Sequence, residues 1–535
     1  HTHTHSAASQ TMHPTATELP LWHTLLLIGP IAAYLLAVGA SARRDVATAC
    51  RLAGHATGTA LLLALAGAVA LATSGGGTAW GLRSDAVGAS ATVLVGFVGW
   101  IIVRYSQTAL AGAPAALGYM RALLLTLGSV LLVVNSNHLL LLSCAWTLSS
   151  LTLHQLLTYY PGRPAAQLAA HKKFIVARLA DVCMWLACAL LYQAFGSLRI
   201  DALLVLATAQ TALSSGTVAA VLLVVLAAIL KSAQLPFHGW LIQVMEAPTP
   251  VSALLHAGLV NLGGLVLIRL APLVAEVPAA MALLVVVGGL TAVLAALVMT
   301  TRISIKVMLA WSTCAQMGFM LMQCGLGLWD MALLHLVGHS LYKAYAFLSA
   351  GETVRQTMVR ALAPARLPAG PGPQLAAAAT SLGLTGAVAA AWVAWTDAPP
   401  ALAAMAVVLA LAWVPMLLGS CAPRSWQDRL LPAVASVALT GVYLALHTVL
   451  QPWVAPTAAV PQTALWVPVM VAFTGLFLLQ WQLTRQPAGA IARRLYPWVY
   501  GGMFLDQTWS RWALRLWPAP RPRATATPSP SVPAP

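Results

Sequence analysis

Lys231 closes the apolar run TVAAVLLVVLAAIL and is followed at once by SAQLPFHGWLIQVMEAPTPVSALLHAG. An amine at the end of a hydrophobic segment is costly in hydrocarbon unless it snorkels to an interface or a hydrated path uses it. Lysine suits proton relay, because a small change in burial or in a nearby carboxylate switches its proton occupancy. Pro236, Pro248 and Pro250 in the same block prevent an unbroken helical ladder, and the freed amides and carbonyls must find water or polar neighbours. His256 lies beyond this break, on the helix that resumes through Asn261 to Arg269.

A second cluster is DMALLHLVGHSLYKAYAFLSAG. His335, His339 and Lys343 recur every four residues and share one helix face over about 12 Å, with Asp330 a little over one turn earlier. Stacked titratable groups suit a proton ladder, and polar packing inside a helix bundle is the other reading. Zinc is disfavoured, since the two histidines lack the glutamate of an HExxH site. Arg178 and Asp181 stand three apart in HKKFIVARLADVCMWL and can pair along one face. Lys306 opens IKVMLAWSTCAQMGFML, whose interior holds Ser312, Thr313 and Gln316. His154, near the end of CAWTLSSLTLHQLL, reads as loop-facing.

The elements that must position these groups are membrane helices. Of 535 residues, 60% are hydrophobic and 7% charged, whereas a soluble globule carries roughly a quarter charged residues. Apolar segments of spanning length recur from 21–39 to 463–483, about 15 of them, with 204–230 open to division between a loop and a discontinuous helix. The expected fold is an all-α polytopic membrane protein with about 13–15 transmembrane helices. The run from Leu21 to Gly39 is read as a true span and not as a cleaved signal. The net charge of +16 lies in loops and tail, with no nucleic-acid motif, so lipid headgroups account for it better. Arg43, Arg44, Arg51, Arg104, Arg121, Arg163, Lys172 and Lys173 fall in the odd early loops, which puts those loops in the cytoplasm and the N-terminus in the periplasm of an inner-membrane protein. The seven cysteines form no CxxC pattern and read as small buried hydrophobes.

Four flanking regions complete the layout. Residues 1–20 form a flexible polar leader with His1, His3, His5 and His13, and 21–118 form the N-terminal helices. Residues 484–517 mix arginines with Trp498, Trp509, Trp512 and Trp517, as an interfacial or partner-docking segment would. The Pro-rich 518–535 is expected to be disordered.

The blocks around Lys231, ISIKVMLAWSTCAQMGFML and ALLHLVGHSLYKAYAFLSAG, in that order, resemble the antiporter-like proton-channel subunits shared by respiratory complex I and Mrp-type cation/proton antiporters. The resemblance is strong from about 130 to 352 and faint beyond 360. It implies two inverted five-helix repeats, here 119–270 with its break near 231–250 and 279–450, followed by a transmembrane helix at 463–483. It implies that Lys231 is the central proton carrier, that His256 follows it, and that His335, His339 and Lys343 form the polar axis between the halves. Two departures stand out. The family's Trp-Glu on its fifth helix is Trp146-Thr147 here, leaving Asp181 with Arg178 as the replacement carboxylate. The second broken helix, matched to ALAAMAVVLALAWVPMLLGS, keeps Pro415 but holds no titratable side chain, and 370–420 contain only Asp397.

Those departures, with basic aromatic segments in place of a long lateral helix, resemble the DabB-type subunits of two-component bacterial inorganic-carbon accumulation systems. That resemblance implies a transport subunit without a cofactor of its own, driven by H+ or Na+. Its implied partner is a large DabA-like protein with a carbonic-anhydrase-like zinc site. A complex I or Mrp subunit, or a non-conducting membrane anchor, are the competing readings.

Overall fold

The computed structural model describes residues 17–518 apart from 43, 114, 362–369, 397, 420–425, 456–457 and 459–463, with the backbone alone at 360–361, 419 and 428–429. The leader histidines, Arg43, Asp397 and most of the Pro-rich tail lie outside the described residues. Six helices open the chain: α1 (Leu21–Ala40), α2 (Val46–Ser74), α3 (Ala86–Ala109), α4 (Ala116–Asn135), α5 (Leu139–Leu157) and α6 (Pro164–Phe195). Asp45 and Asp85 cap α2 and α3 by accepting from the amides of Thr48 and Gly88, which satisfies donors that a helix start leaves free. Between α2 and α3 a hairpin pairs β1 (Gly77–Ala79) with β2 (Leu82–Ser84). Its two-residue turn, Trp80-Gly81, has positive φ at both positions, as the right-handed twist of a tight hairpin requires.

The middle of the chain is more fragmented, with α7 (Ile200–Thr208), α8 (Ser215–Lys231), α9 (Gly239–Gln243), α10 (Thr249–Ala257), α11 (Leu262–Arg269) and α12 (Ala271–Ala275). Longer helices resume with α13 (Pro278–Met299), α14 (Ile305–Gly325) and α15 (Trp329–Leu348), then α16 (Ala350–Ala361), α17 (Pro371–Trp395), α18 (Ala401–Gly419), α19 (Gln427–Val454) and α20 (Trp466–Arg485). Two short amphipathic helices close it, α21 (Ala490–Tyr500) and α22 (Leu505–Leu516).

Among the described residues 13 helical spans are long and apolar enough to cross a membrane, α10 and α11 counting together. The 17-residue α8 and the histidine-bearing α15 complete the bundle. The protein is therefore an all-α polytopic membrane protein. α13 and α14 are pressed together through Gly288 and Gly318: a Cβ at either would stand 2.5 Å from the other's carbonyl oxygen. Small residues at a membrane helix interface permit this close backbone approach, from which packing and weak polar contacts stabilise the pair.

Two discontinuities lie beside the central polar groups. The first separates α8 from α10, and neighbours satisfy its freed backbone: Cys314 donates to the Ala233 carbonyl, and Thr291 Oγ1 accepts from the Leu235 amide. Pro236 lies within this break, following a cis peptide bond. Pro248 and Pro250 act differently, at the cap and in the first turn of α10, where a missing N–H costs nothing. The second discontinuity is at Gly258, whose backbone leaves the helical region between α10 and α11. No proline marks it. α18, by contrast, runs as one helix through Pro415, so the second broken helix expected there is absent among the described residues.

Candidate functional site

Lys231 is buried at the last turn of α8, where the chain departs from helix. Its Nζ donates to Ser150 Oγ at 2.8 Å and meets Ser149 Oγ at 3.3 Å. It also lies 4.4 Å above the Trp146 ring. These three α5 residues supply two hydroxyl acceptors and an aromatic face, the environment that makes a buried ammonium tolerable. Thr147, on the same helix, approaches the Asp181 carboxylate. Asp181 is paired with Arg178 at 2.8 Å along α6 and lies within electrostatic reach of Lys231. α6 thus brings a carboxylate to the place where α5 carries threonine.

Lys172 and Lys173 do not occupy a loop. They are buried side chains in α6, which begins at Pro164 and carries them beneath the bundle surface. Lys173 Nζ donates to the Ser150 carbonyl at 2.8 Å, so Ser150 joins it to Lys231 through a single residue. Lys172 is fully buried and turns the other way, donating to Asp506 at 2.5 and 2.7 Å, to Ser510 at 2.9 Å and to Gln243 at 3.1 Å. Asp506 and Ser510 belong to α22, so the basic aromatic segment is seated on α6 and α9. Gly239 makes this possible, because a Cβ there would overlap the Asp506 carboxylate. Trp517 stacks on His171 with ring centres 3.8 Å apart, and His154 packs beside both instead of facing a loop.

Beyond Lys231 the polar groups continue into the second half. His256, in the last turn of α10, stacks on Phe347 at 4.4 Å, and neither ring nitrogen has a protein partner. It lies within electrostatic reach of Lys343 and His339. Lys343 is fully buried and donates to Ser312 Oγ at 2.7 Å and the Leu309 carbonyl at 3.0 Å. His339 and His335 follow along α15, their ring centres 6.0 Å apart, and His335 Nδ1 meets Gln323 Oε1 at 3.1 Å. Lys306 stands apart from this axis, donating to Thr249 Oγ1 at 3.0 Å and joining α14 to the start of α10.

The structure therefore brings Lys231 together with Asp181 and the half-buried Arg178, gathers His256, Lys343, His339 and the half-buried His335 into a second group, and leaves Lys306 beside them. Sequence reasoning missed Lys172, Lys173 and Asp506. The only available signal was that HKKFIVARLAD continues into an apolar run without a turn residue. Among the described residues no group of three or more His, Cys, Asp or Glu side chains could hold a metal ion.

A bundle whose helix breaks beside a buried lysine has the architecture of an antiporter-type membrane subunit. Residues 136–366 match the family model described as NADH:quinone oxidoreductase/Mrp antiporter, TM. A chain of the Mrp complex from Dietzia sp. DQ12-45-1b has a similar fold, with a TM-score of 0.63, 25% identity, and coverage of 92% of this chain and 59% of that one. More narrowly, the chain belongs to the DabB family of that class. It is 41% identical over 433 residues to the "Probable inorganic carbon transporter subunit DabB" of Hydrogenovibrio crunogenus, covering 79% of this chain and 81% of the relative. It is also 41% identical over 435 residues to the "Probable inorganic carbon transporter subunit DabB2" of Halothiobacillus neapolitanus, covering 79% and 78%.

Proposed function

We propose that this chain conducts protons through the membrane and that the flux energises inorganic-carbon uptake by a bound partner. The observation that carries the reading is the pair of protonatable groups inside the bundle, Lys173 and Lys231 joined at Ser150, and His256, Lys343, His339 and His335 along α10 and α15. Each has a polar neighbour or an unpartnered ring nitrogen, so a proton can be held without a fixed bond that traps it. Asp181, paired with Arg178, serves as the carboxylate partner of this path. A shift of Asp181 towards or away from the lysine would change its proton occupancy.

The relatives' names support inorganic carbon as the transported species. The partner is a large DabA-like subunit, and its carbonic-anhydrase-like zinc site performs the CO2 or bicarbonate chemistry. The location is the bacterial inner membrane, with the N-terminus periplasmic; Arg44, Arg51, Arg104, Arg121 and Arg163 support that orientation. Sodium coupling is the second reading, implied by the sequence resemblance to Mrp-type cation/proton antiporters.

Growth in air of a host lacking carbonic anhydrase tests the proposal, with co-purification of the partner checking assembly. Lys231→Ala is expected to keep assembly and abolish rescue. Full rescue by that variant would reduce the chain to a membrane anchor.

A further inference from the structure

Asp330 and His447 are both buried, and His447 Nδ1 lies 2.6 Å from Asp330 Oδ2. The pair joins the first turn of α15 to the later part of α19, a helix beyond the region of strong family resemblance. Burying two ionisable groups offers little net stability over apolar packing, so an intramembrane pair invites a functional explanation. Its surroundings supply one. A cavity of about 590 Å³ lies between α14, α15, α18, α19 and α20. His339, His335, Gln323 and Tyr443 are on its wall, and the Tyr443 phenol lies close to both Gln323 and Asp330. Liquid water occupies about 30 Å³ per molecule, so such a space has room for water beside these few polar groups, the rest of its lining being apolar. α18 faces the same cavity with Met405, Val408, Leu409 and Ala412, none of which can carry a proton.

We propose that the Asp330–His447 pair is the proton-entry site of this chain, at the periplasmic end of its path, taking the place of the titratable side chain that α18 lacks. The inference rests on the proton-conducting reading above and names where its path begins. His447 takes a proton on Nε2, and the imidazolium passes the one on Nδ1 to the Asp330 carboxylate; tautomerisation through water resets the ring. From Asp330 the proton passes through the Tyr443 hydroxyl into the cavity and through water to His335. One N–H or O–H bond breaks as the next forms at each step.

The two ends of the path face opposite sides of the bundle. Arg269, paired with Asp85 at 3.1 Å, places the end of α11 with the start of α3. Following the chain from there through α13 and α14 brings the start of α15, with Asp330, back to that side. The α22 seat at Lys172 lies on the other, beside the loop where Arg302 donates to the Tyr500 carbonyl.

The test is proton flux into proteoliposomes holding the complete complex, read by an internal pH dye. Asp330→Asn and His447→Gln are each expected to lower flux at least about tenfold with normal assembly, since a positioned proton carrier contributes on the order of a hundredfold or more. Asp330→Glu should retain most of the flux, and external imidazole should restore flux to His447→Ala. Near-normal flux in Asp330→Asn and His447→Gln, with Lys231→Ala inactive, would overturn the entry site alone. Flux retained in Lys231→Ala would instead remove the underlying reading. If Asp330→Asn fails to insert, His447→Gln decides, and wild-type flux in it rejects the assignment.

Discussion

Replacing Asp506 with asparagine should release α22 from its seat. Lys172 is fully buried, and the Asp506 side chain, 26% exposed, supplies its only carboxylate among the described residues. Removing one partner of a buried ion pair costs about 3–5 kcal/mol, because the other charge remains without compensation. Partial exposure of Asp506 and the remaining Gln243 and Ser510 contacts reduce this to about 2–3 kcal/mol. At about 1.4 kcal/mol per tenfold, the undocked population of α22 rises roughly 30- to 150-fold. Tryptic cleavage at Arg511 or Arg515 in membranes reports that population, because the helix must leave its seat and unwind to enter the protease. Cleavage should accelerate by a comparable factor in Asp506→Asn, while Lys172→Met/Asp506→Leu, which removes both charges, should be cleaved close to the wild-type rate. A wild-type rate in Asp506→Asn, or a double variant as labile as the single one, would refute an electrostatic clasp.

Other outcomes follow from the central axis and the packing. Lys231→Arg should fail to restore the flux lost in Lys231→Ala, because guanidinium keeps its proton; equal flux in Arg and Lys forms would exclude proton exchange at this position. Asp181→Asn should lower flux at least about tenfold, and Thr147→Glu added to it should recover a large part, since Thr147 adjoins Asp181. A dye-based flux assay without such recovery would separate the two positions. Gly288→Val should destabilise the α13–α14 pair by about 1–3 kcal/mol or more, as overpacking does, visible as a lower unfolding temperature in detergent; an unchanged temperature would mean that this interface yields.

The membrane class, the helical architecture and the placement of the central polar groups were legible in the sequence, because they depend on local properties. Long apolar runs leave a chain few structures besides helices, prolines interrupt their ladders, and a spacing of four puts His335, His339 and Lys343 on one face. Which polar groups meet across helices was not legible. Asp181 reaches the neighbourhood of Lys231 and Thr147 only because α6 packs beside α5 and α8. The same packing turns Lys172 and Lys173 from apparent loop charges into buried members of the site. The break at Gly258 had no proline to announce it, and Asp330 met His447 from 117 positions away. Sequence periodicity records the face of one helix. Tertiary packing chooses the face opposite it, and in hydrocarbon that choice decides which buried charge has a partner.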